Sequence, residues 1–200
     1  MLEAPVLMVG TDASVVEAEL VGGLLGCSDC AGVLGPWGFA RWRVLRGCGD
    51  VEERVRPRRG RCRVCRKTDV LLGVWGLLRR RDDVATIGEA LEAKAAGDGH
   101  RKIAKALGCE KDTVRGWLRA FGRAAEAIRA HFTRWAHVLD AELGPIPPTG
   151  DAFADAVSAV GVAARSWVLR GGPMSAWQVA ARLSGGALLC NTSRPFPPPP

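Results

Sequence analysis

Seven cysteines are the residues of this chain best suited to chemistry, and four of them form two closely spaced pairs. The pairs are Cys27-Ser-Asp-Cys30 and Cys62-Arg-Val-Cys65, with 31 residues between them. Two thiolates at this spacing bind one edge of a tetrahedral Zn²⁺ site, so Cys27, Cys30, Cys62 and Cys65 are the predicted ligands of a structural zinc ion. A thioredoxin-like dithiol is the alternative for either pair, but the βαβ context that it needs is missing. Cys48, which lies between the pairs, is expected to be a spare thiol, and its substitution for one of the four ligands stays open.

The segment between the two pairs has the pattern of β-strands. It reads GVLGPWGFARWRVLRG, and a second extended, arginine-rich stretch runs from Val51 to Arg61 after a turn at Gly47–Asp50. Its aromatic residues are expected to form a small core. A β-hairpin held at its base by two cysteine pairs is a zinc ribbon, and metal binding would supply the stability that so small a module lacks.

A second pattern, from His100 to Phe121, predicts two short helices joined by a tight turn. Two apolar stripes lie on either side of the turn, the first formed by Ile103, Ala104 and Leu107 and the second by Val114, Trp117, Leu118 and Phe121. Gly108 is expected to end the first helix at a positive φ. This pattern is typical of a helix-turn-helix, whose second helix lies in the major groove of DNA. The alternative is an ordinary helical hairpin with a solvated basic face.

The predicted DNA contacts lie on the outward positions of these two helices. Arg101 and Lys102 of the first helix are expected on phosphates. The outward positions of the second helix are Lys111, Asp112, Thr113, Arg115 and Arg119, and all but Asp112 are expected nearest the bases.

Auxiliary nucleic-acid contacts are predicted in the arginine-rich stretch at Arg56, Arg58 and Arg59. So many arginines on a small surface repel one another, and a phosphate backbone would relieve that repulsion. The alternative is a solvated basic face with Glu52 and Glu53 as partial partners.

Shorter signals place the elements around these two motifs. Ala4 to Val9 can form a strand, and Thr11 or Asp12 can cap a helix that follows it. Residues 84–95 have helical periodicity up to the turn at 97–99, and this helix would complete a trihelical unit with the helix pair.

The C-terminal part of the chain carries an apolar seam with three- and four-residue spacing. The seam runs to Leu139, turns at 144–150 and repeats from Phe153 to Trp167, and a last amphipathic piece spans 174–183. A helical hairpin that packs on itself is expected, and a homodimer interface through residues 118–168 is the alternative. The end of the chain from Gly185 is expected to be a Pro-rich disordered tail with no core to join.

Charge and composition favour an anionic partner inside the cell. The net charge is +7, and the span from Arg41 to Lys67 has eleven basic residues against three acidic ones. Such segregation suits a polyanion. The acidic N-terminus does not resemble a secretory signal, and no apolar run approaches the roughly 20 residues of a membrane span. The odd cysteine number and C-x-x-C spacing favour metal binding in a reducing cytoplasm over disulfides.

Taken together, these patterns predict an α+β chain that is mainly α. An N-terminal strand and helix (1–26) precede the zinc ribbon (27–78), the helix-turn-helix unit (84–122), the helical extension (123–184) and the tail (185–200).

With both motifs in place, the chain resembles a bacterial family of unknown function with an N-terminal zinc ribbon and a helix-turn-helix related to those of insertion-sequence transposases. The resemblance is carried by CSDCAGVLGPWGFARWRV, RPRRGRCRVCRKT and GHRKIAKALGCEKDTVRGWLRAF, and more weakly by WQVAARLSGGALL. It covers Val6 to about Phe132 and implies DNA binding, with zinc held by the four cysteines already named.

A binding function is expected rather than catalysis. A transposase would need three carboxylates on a nuclease domain of its own, and the residues after the helix pair have helical patterns instead. His100, His131 and His137 lack a ligand spacing or a neighbouring nucleophile and are expected at the surface. A DNA-binding regulator or transposase-derived DNA binder is therefore predicted, and a protein-interaction adaptor is the alternative.

Overall fold

A computed structural model describes residues 6–30, 32–190 and 196–197, and within these residues the chain has six strands and seven helices. The strands are β1 (Val6–Val9), β2 (Leu34–Phe39), β3 (Arg43–Arg46), β4 (Glu52–Val55), β5 (Arg58–Cys62) and β6 (Thr68–Gly73). The helices are α1 (Ala13–Val21), α2 (Val84–Ala95), α3 (His100–Leu107), α4 (Lys111–Arg123), α5 (Ala125–Leu139), α6 (Ala152–Gly171) and α7 (Ala176–Leu183). The chain is thus a mixed α+β protein.

A four-stranded sheet in the order β1-β6-β5-β2 forms the N-terminal half, with β1 parallel to β6 and the other pairs antiparallel. Strand β6 is buried on both faces. Leu71 packs with Val16 and Leu20 of α1, whereas Leu72 joins the core of the helices. Strand β1 therefore belongs to the same sheet as β2 and β5, and α1 packs on that sheet through Val16 and Leu20.

The stretch between the cysteine pairs folds back at the expected turn, but its two arms pair as two successive ladders instead of one continuous ladder. Strand β2 pairs with β5, while β3 and β4 form a separate two-stranded sheet. The ladder is irregular near Gly38, at φ 81°, and Pro57 has no N–H to donate to it. The aromatic residues expected in a small core are half-exposed, so that expectation was wrong. The core under the sheet consists of residues from α1, β1, β2, β5 and β6.

Helices α2, α3 and α4 pack against one another and against the C-terminal end of β6. Gly108 follows α3 at φ 63°, which confirms the expected left-handed stop. The turn of the β3–β4 hairpin lies on this junction, because the Gly49 N–H donates to the Leu107 carbonyl at 2.8 Å. A side chain at Gly108 would collide with the Gly49 backbone at 2.8 Å.

Helices α5 and α6 form an antiparallel hairpin that buries the apolar seam within the chain. The predicted seam residues with little or no exposure are Ile128, Phe132, Leu139, Val160 and Ala164. Four other members of the predicted seam, Trp135, Phe153, Val157 and Trp167, are half-buried. Val138, Val168 and Leu169 remain exposed.

Among the described residues, α6 alone is long and apolar enough to cross a membrane by length and composition, a test that buried core helices also pass. Because α6 packs on α5 and α7 and carries the buried Asp155, its apolar residues are those of a core helix. Asp155 accepts hydrogen bonds from the N–H and hydroxyl of Thr149, and these bonds lower the pKa of its carboxyl group.

Two further expectations about the C-terminal half were wrong. Leu188 and Leu189 are buried, and Phe196 lies against His131 with a ring-centroid distance of 4.7 Å, so the chain still contacts the core where a tail was expected. His131 is itself fully buried, its Nε2 lying 3.0 Å from the Leu183 carbonyl. Burial lowers the pKa of this imidazole. The rest of the predicted tail, at 191–195 and 198–200, lies outside the described residues.

Helix α7 docks on α2 through a glycine. Any side chain at Gly88 would collide with the Trp177 ring, whose Nε1 donates to Glu92 at 2.8 Å.

Gly88→Ala should destabilise the protein by about 1–3 kcal/mol, because overpacking outweighs the gain in helix propensity. The control is Gly161→Ala in α6, where the added Cβ meets only the Arg165 guanidinium at 3.6 Å. Its stability should rise by up to about 1 kcal/mol. Denaturant unfolding measures both, and a Gly88→Ala variant as stable as wild type would contradict the docking.

Candidate functional site

The sheet brings the two cysteine pairs together at one end. The four Sγ atoms of Cys27, Cys30, Cys62 and Cys65 all lie within 4.8 Å of one another. Cys27 and Cys65 are separated by 3.7 Å and Cys30 and Cys62 by 3.6 Å, measured between Sγ atoms. A tetrahedral ion with metal–sulfur bonds of about 2.3 Å has sulfur–sulfur edges of about 3.8 Å. The cluster therefore has the size and donor set of a site that can hold a metal ion.

Backbone N–H groups point at the sulfurs. Asp29 donates to Cys27 Sγ, and Val64 and Cys65 donate to Cys62 Sγ, each at 3.4 Å. Burial acts to raise the pKa of Cys62, but the N–H groups and the neighbouring thiols lower it to about 6. Burial raises the pKa of Cys27. Bonds of this kind stabilise thiolates, the form in which cysteine binds metals.

A buried carboxylate holds the first cysteine pair against the sheet. Asp69 of β6 is fully buried and accepts hydrogen bonds from the backbone N–H of Ser28 at 3.1 Å and its hydroxyl at 2.8 Å. Lys67 forms an ion pair with Asp29 beside it. Sequence reasoning missed Asp69, because nothing local marks an aspartate in an apolar strand as the partner of a residue 41 positions away.

Cys48 lies apart from this cluster. Its Sγ is 3.4 Å from Thr86 Oγ1 and 3.7 Å from Glu89 Oε2, both on α2. The structure therefore gives no support to the substitution of Cys48 for one of the four sulfurs.

The second candidate surface is the outward face of α4. Val114, Trp117 and Phe121 are buried, and the predicted contact residues Lys111, Asp112, Arg115 and Arg119 are exposed. Thr113 differs from them, since it is half-buried and lines a cavity of about 370 Å³ beside the hairpin turn. Arg115 forms an ion pair with Asp112 at 3.0 Å.

Helix α3 lies beside α4 with its predicted phosphate contacts, Arg101 and Lys102, exposed. Lys102 pairs with Asp98 at 2.7 Å. Exposed ion pairs within a helix stabilise it by only a few tenths of a kcal/mol, so a phosphate can displace either carboxylate.

Gly116, which sequence reasoning did not select, lies in the exposed face of α4. A Cβ built there meets nothing within 4 Å among the described residues. An exposed glycine inside a helix costs about 1 kcal/mol relative to alanine, and here the protein's own packing does not require it.

The three arginines predicted as auxiliary contacts have different environments. Arg58 is held by Glu17, with nitrogen–oxygen distances of 2.6 and 2.8 Å, and its hydrogen bond lowers the pKa of that carboxyl group. Arg59 is half-buried, and its Nε has no hydrogen-bond partner among the described residues. Arg56 is exposed. Arg56 is therefore the member of this set most accessible to a partner.

The chain matches no protein-family model, no curated protein and no solved structure. The resemblance described above thus rests on its sequence motifs alone.

Close packing beside the cysteine cluster predicts that metal binding needs a glycine at position 32. A Cβ at Gly32 would lie 2.9 Å from Val64 Cγ2 and 3.0 Å from Cys62 Sγ. Gly32→Ala should push the second cysteine pair outward and weaken metal affinity by about 10- to 100-fold, as changes just outside a ligand set commonly do. Competition of Zn²⁺ against a chromophoric chelator measures this. Gly35→Ala is the matched control, because its Cβ meets the flexible Arg63 side chain at 3.4 Å and lies at an ordinary contact distance of 4.0 Å from the Arg61 carbonyl oxygen. Equal metal affinity of the two variants would refute the packing argument.

Proposed function

We propose that this chain is a DNA-binding protein in which a structural Zn²⁺ ion stabilises the sheet and α4 enters the major groove of a duplex. The observation that carries the proposal is the division of α4 into two faces. One face is buried through Val114, Trp117 and Phe121, and the other presents Arg115 and Arg119 to solvent. An α-helix is about 10–12 Å across, and the major groove is about 12 Å wide.

The shape of the exposed face supports close approach to DNA. With 3.6 residues per turn, Asp112, Gly116 and Arg119 lie along one line on the helix surface. Gly116 leaves a gap between longer side chains, so a base edge or sugar can come near the helix backbone there. Arg115 and Arg119 flank the gap and have the fork geometry that binds guanine O6 and N7.

Four thiolates favour Zn²⁺ over the hard cations Mg²⁺ and Ca²⁺, which take oxygen ligands. Bound zinc would not contact the DNA itself. It would join the loop between α1 and β2 to the end of β5 and the turn that follows it. In this proposal the sheet and the ion form the zinc ribbon, and α3 and α4 form the helix-turn-helix.

A protein-interaction adaptor remains the second candidate. Val168 and Leu169 are 54% and 70% exposed, near a cavity of about 650 Å³ lined in part by Leu143 and Ile146. An exposed apolar patch of this kind favours a protein contact, including a second copy of this chain.

Metal identity and ligand set can be tested together. Purified protein should contain one zinc per chain by atomic absorption, and Co²⁺ should replace it with the visible spectrum of a tetrahedral thiolate site. Cys62→Ser should lose the metal and lower the melting temperature, since metal binding contributes to folding. Cys48→Ser is the control and should keep the full metal content, because its sulfur packs on α2. Loss of metal from Cys48→Ser, or full retention in Cys62→Ser, would overturn the ligand assignment.

DNA binding is tested with duplexes selected from a random pool and a salt titration of the complex. Affinity should fall steeply with salt, and Arg115→Ala should cost about 1–3 kcal/mol on the selected sequence if Arg115 contacts a guanine. Equal loss on every sequence would assign Arg115 to phosphate contact.

The Gly116→Leu variant distinguishes the effect of the shape of α4 on binding from the effect of its positive charge. It keeps the charge, adds a good helix former where no protein atom is met, and should abolish duplex binding without lowering the melting temperature. Arg165→Ala, an exposed arginine on α6, is the charge-matched control for Arg115→Ala and should bind normally. Absence of wild-type binding at low salt would exclude the DNA proposal in favour of the adaptor.

A further inference from the structure

A second surface, on the sheet side of the molecule, combines exposed aromatic rings with arginines. Phe39, at the end of β2, is 50% exposed, and Trp42, three residues later, is 56% exposed. Exposed aromatic residues that cluster mark interaction sites more often than scattered ones do. We call this cluster the aromatic–arginine surface; its members are Phe39, Trp42, Arg54, Arg56 and Arg58.

The guanidinium groups and rings of this surface form a continuous chain of contacts. Arg58 lies 4.6 Å from the Phe39 ring centroid, and Arg56 lies 5.0 Å from Phe39 and 5.6 Å from Trp42. Arg54 lies 5.3 Å from Trp42. At exposed sites, cation–π contacts of this kind are worth about 0.5–1 kcal/mol each. They hold cations beside half-exposed rings.

The positive charge of this surface is only partly neutralised within the chain. Glu17 pairs with Arg58. Among the described residues, no carboxylate lies within ion-pair distance of Arg54 or Arg56. The surface thus retains at least two cations for an anionic partner.

A groove of about 520 Å³ opens beside the rings. Phe39, Arg54, Arg56 and Arg58 line one part of it, and residues of α1, β1 and β6, most of them apolar, line much of the rest. Two carboxylates, Glu17 and Glu53, also border the groove, and Glu17 is paired with Arg58. Small-molecule sites commonly have volumes of about 300–1,000 Å³. The groove can therefore take a flat ring such as a nucleobase.

We propose that the aromatic–arginine surface binds single-stranded nucleic acid, with unpaired bases stacking on Trp42 and Phe39 and phosphates meeting Arg54 and Arg56. Aromatic rings with adjacent cations are the common device for this ligand, because every base has a π-face and every linkage carries a charge. Duplex DNA is a poor fit, since its bases stack on one another and offer only their edges in the grooves. This site is separate from α4 and does not depend on the proposed duplex binding.

Trp37 provides an internal control on the same strand. It is 51% exposed, like Trp42, and has its own arginine, Arg61, at 4.3 Å. Arg61 and Arg58 are three positions apart on β5, so they point to opposite faces of the sheet. Trp37 therefore has the same chemistry as the proposed site but a different location.

The test uses the zinc-loaded full chain and fluorescently labelled twelve-nucleotide oligo(dT) and oligo(U), with anisotropy as the readout and an unlabelled duplex as competitor. Trp42→Ala and Phe39→Ala should each weaken binding roughly 5- to 150-fold, the range expected for loss of one stacked base. Trp42→Phe should restore most of the affinity, and Trp37→Ala should bind as wild type does. Preference for one of the two oligonucleotides identifies DNA or RNA as the partner.

Several results would overturn the proposal. These are no binding of either oligonucleotide at low salt, equal loss in Trp37→Ala and Trp42→Ala, or competition by duplex as strong as by single strand. Weaker binding of the Trp42→Ala variant to anionic lipid vesicles, with oligonucleotide affinity unchanged, would assign the surface to membranes instead. Melting temperature and zinc content report folding of each variant. Gly116→Leu should keep single-strand binding, so failure of this site and failure of the α4 proposal can be told apart.

Discussion

The burial of strand β6 on both faces is the constraint on which the arrangement of the whole molecule depends. Leu71 contributes to the core under α1, and Leu72 contributes to the core of the helices. Asp69, two residues before Leu71, binds Ser28 and so positions the first cysteine pair. One strand therefore links the cysteine cluster to the helical part of the chain, so a packing change at one end of β6 should alter the structure at the other end.

Local patterns in the sequence were sufficient for features that depend on neighbouring residues. Gly108 adopts the left-handed conformation expected where the apolar stripe ends. The two C-x-x-C pairs also lie together as predicted, although they are distant in sequence, because their residue type and spacing already indicated one shared metal site. Features that depend on distant partners were not predictable in this way. The parallel pairing of β1 with β6, the contact of Trp177 with Gly88 and the burial of His131 all join residues more than 50 positions apart.

The exposure of three aromatic residues shows why the alternation of apolar and polar residues was not enough to predict burial. Trp37, Phe39 and Trp42 have the pattern of a half-buried strand, but the core under the sheet is already filled by Leu20, Leu34 and Leu71 together with two cysteines. The rings instead stack against arginines. This arrangement also explains how the fold tolerates so many arginines in a small area, since each ring attracts the cation above it while Glu17 neutralises one of them. Half-exposed rings and spaced charges thus take the place of the partial pairing with Glu52 and Glu53 that the alternative interpretation offered. Of these two carboxylates, Glu52 alone approaches an arginine among the described residues, with its Oε1 3.8 Å from Arg46 Nε.

The β3–β4 hairpin covers one flank of α4 and, in the proposed complex, would restrict the side from which a duplex approaches this helix. Its strand end is fixed by Arg46, which exchanges backbone hydrogen bonds with Arg81 and Asp83 just before α2, and its turn is fixed by Gly49 on Leu107. Held at both points, the hairpin covers the side of α4 on which Thr113 is half-buried. The side with Arg115, Gly116 and Arg119 stays open. A helix with one flank covered in this way can dock in a groove in a narrower range of orientations than a free helix. The same packing that stabilises the α3–α4 turn thus determines which face of α4 is exposed.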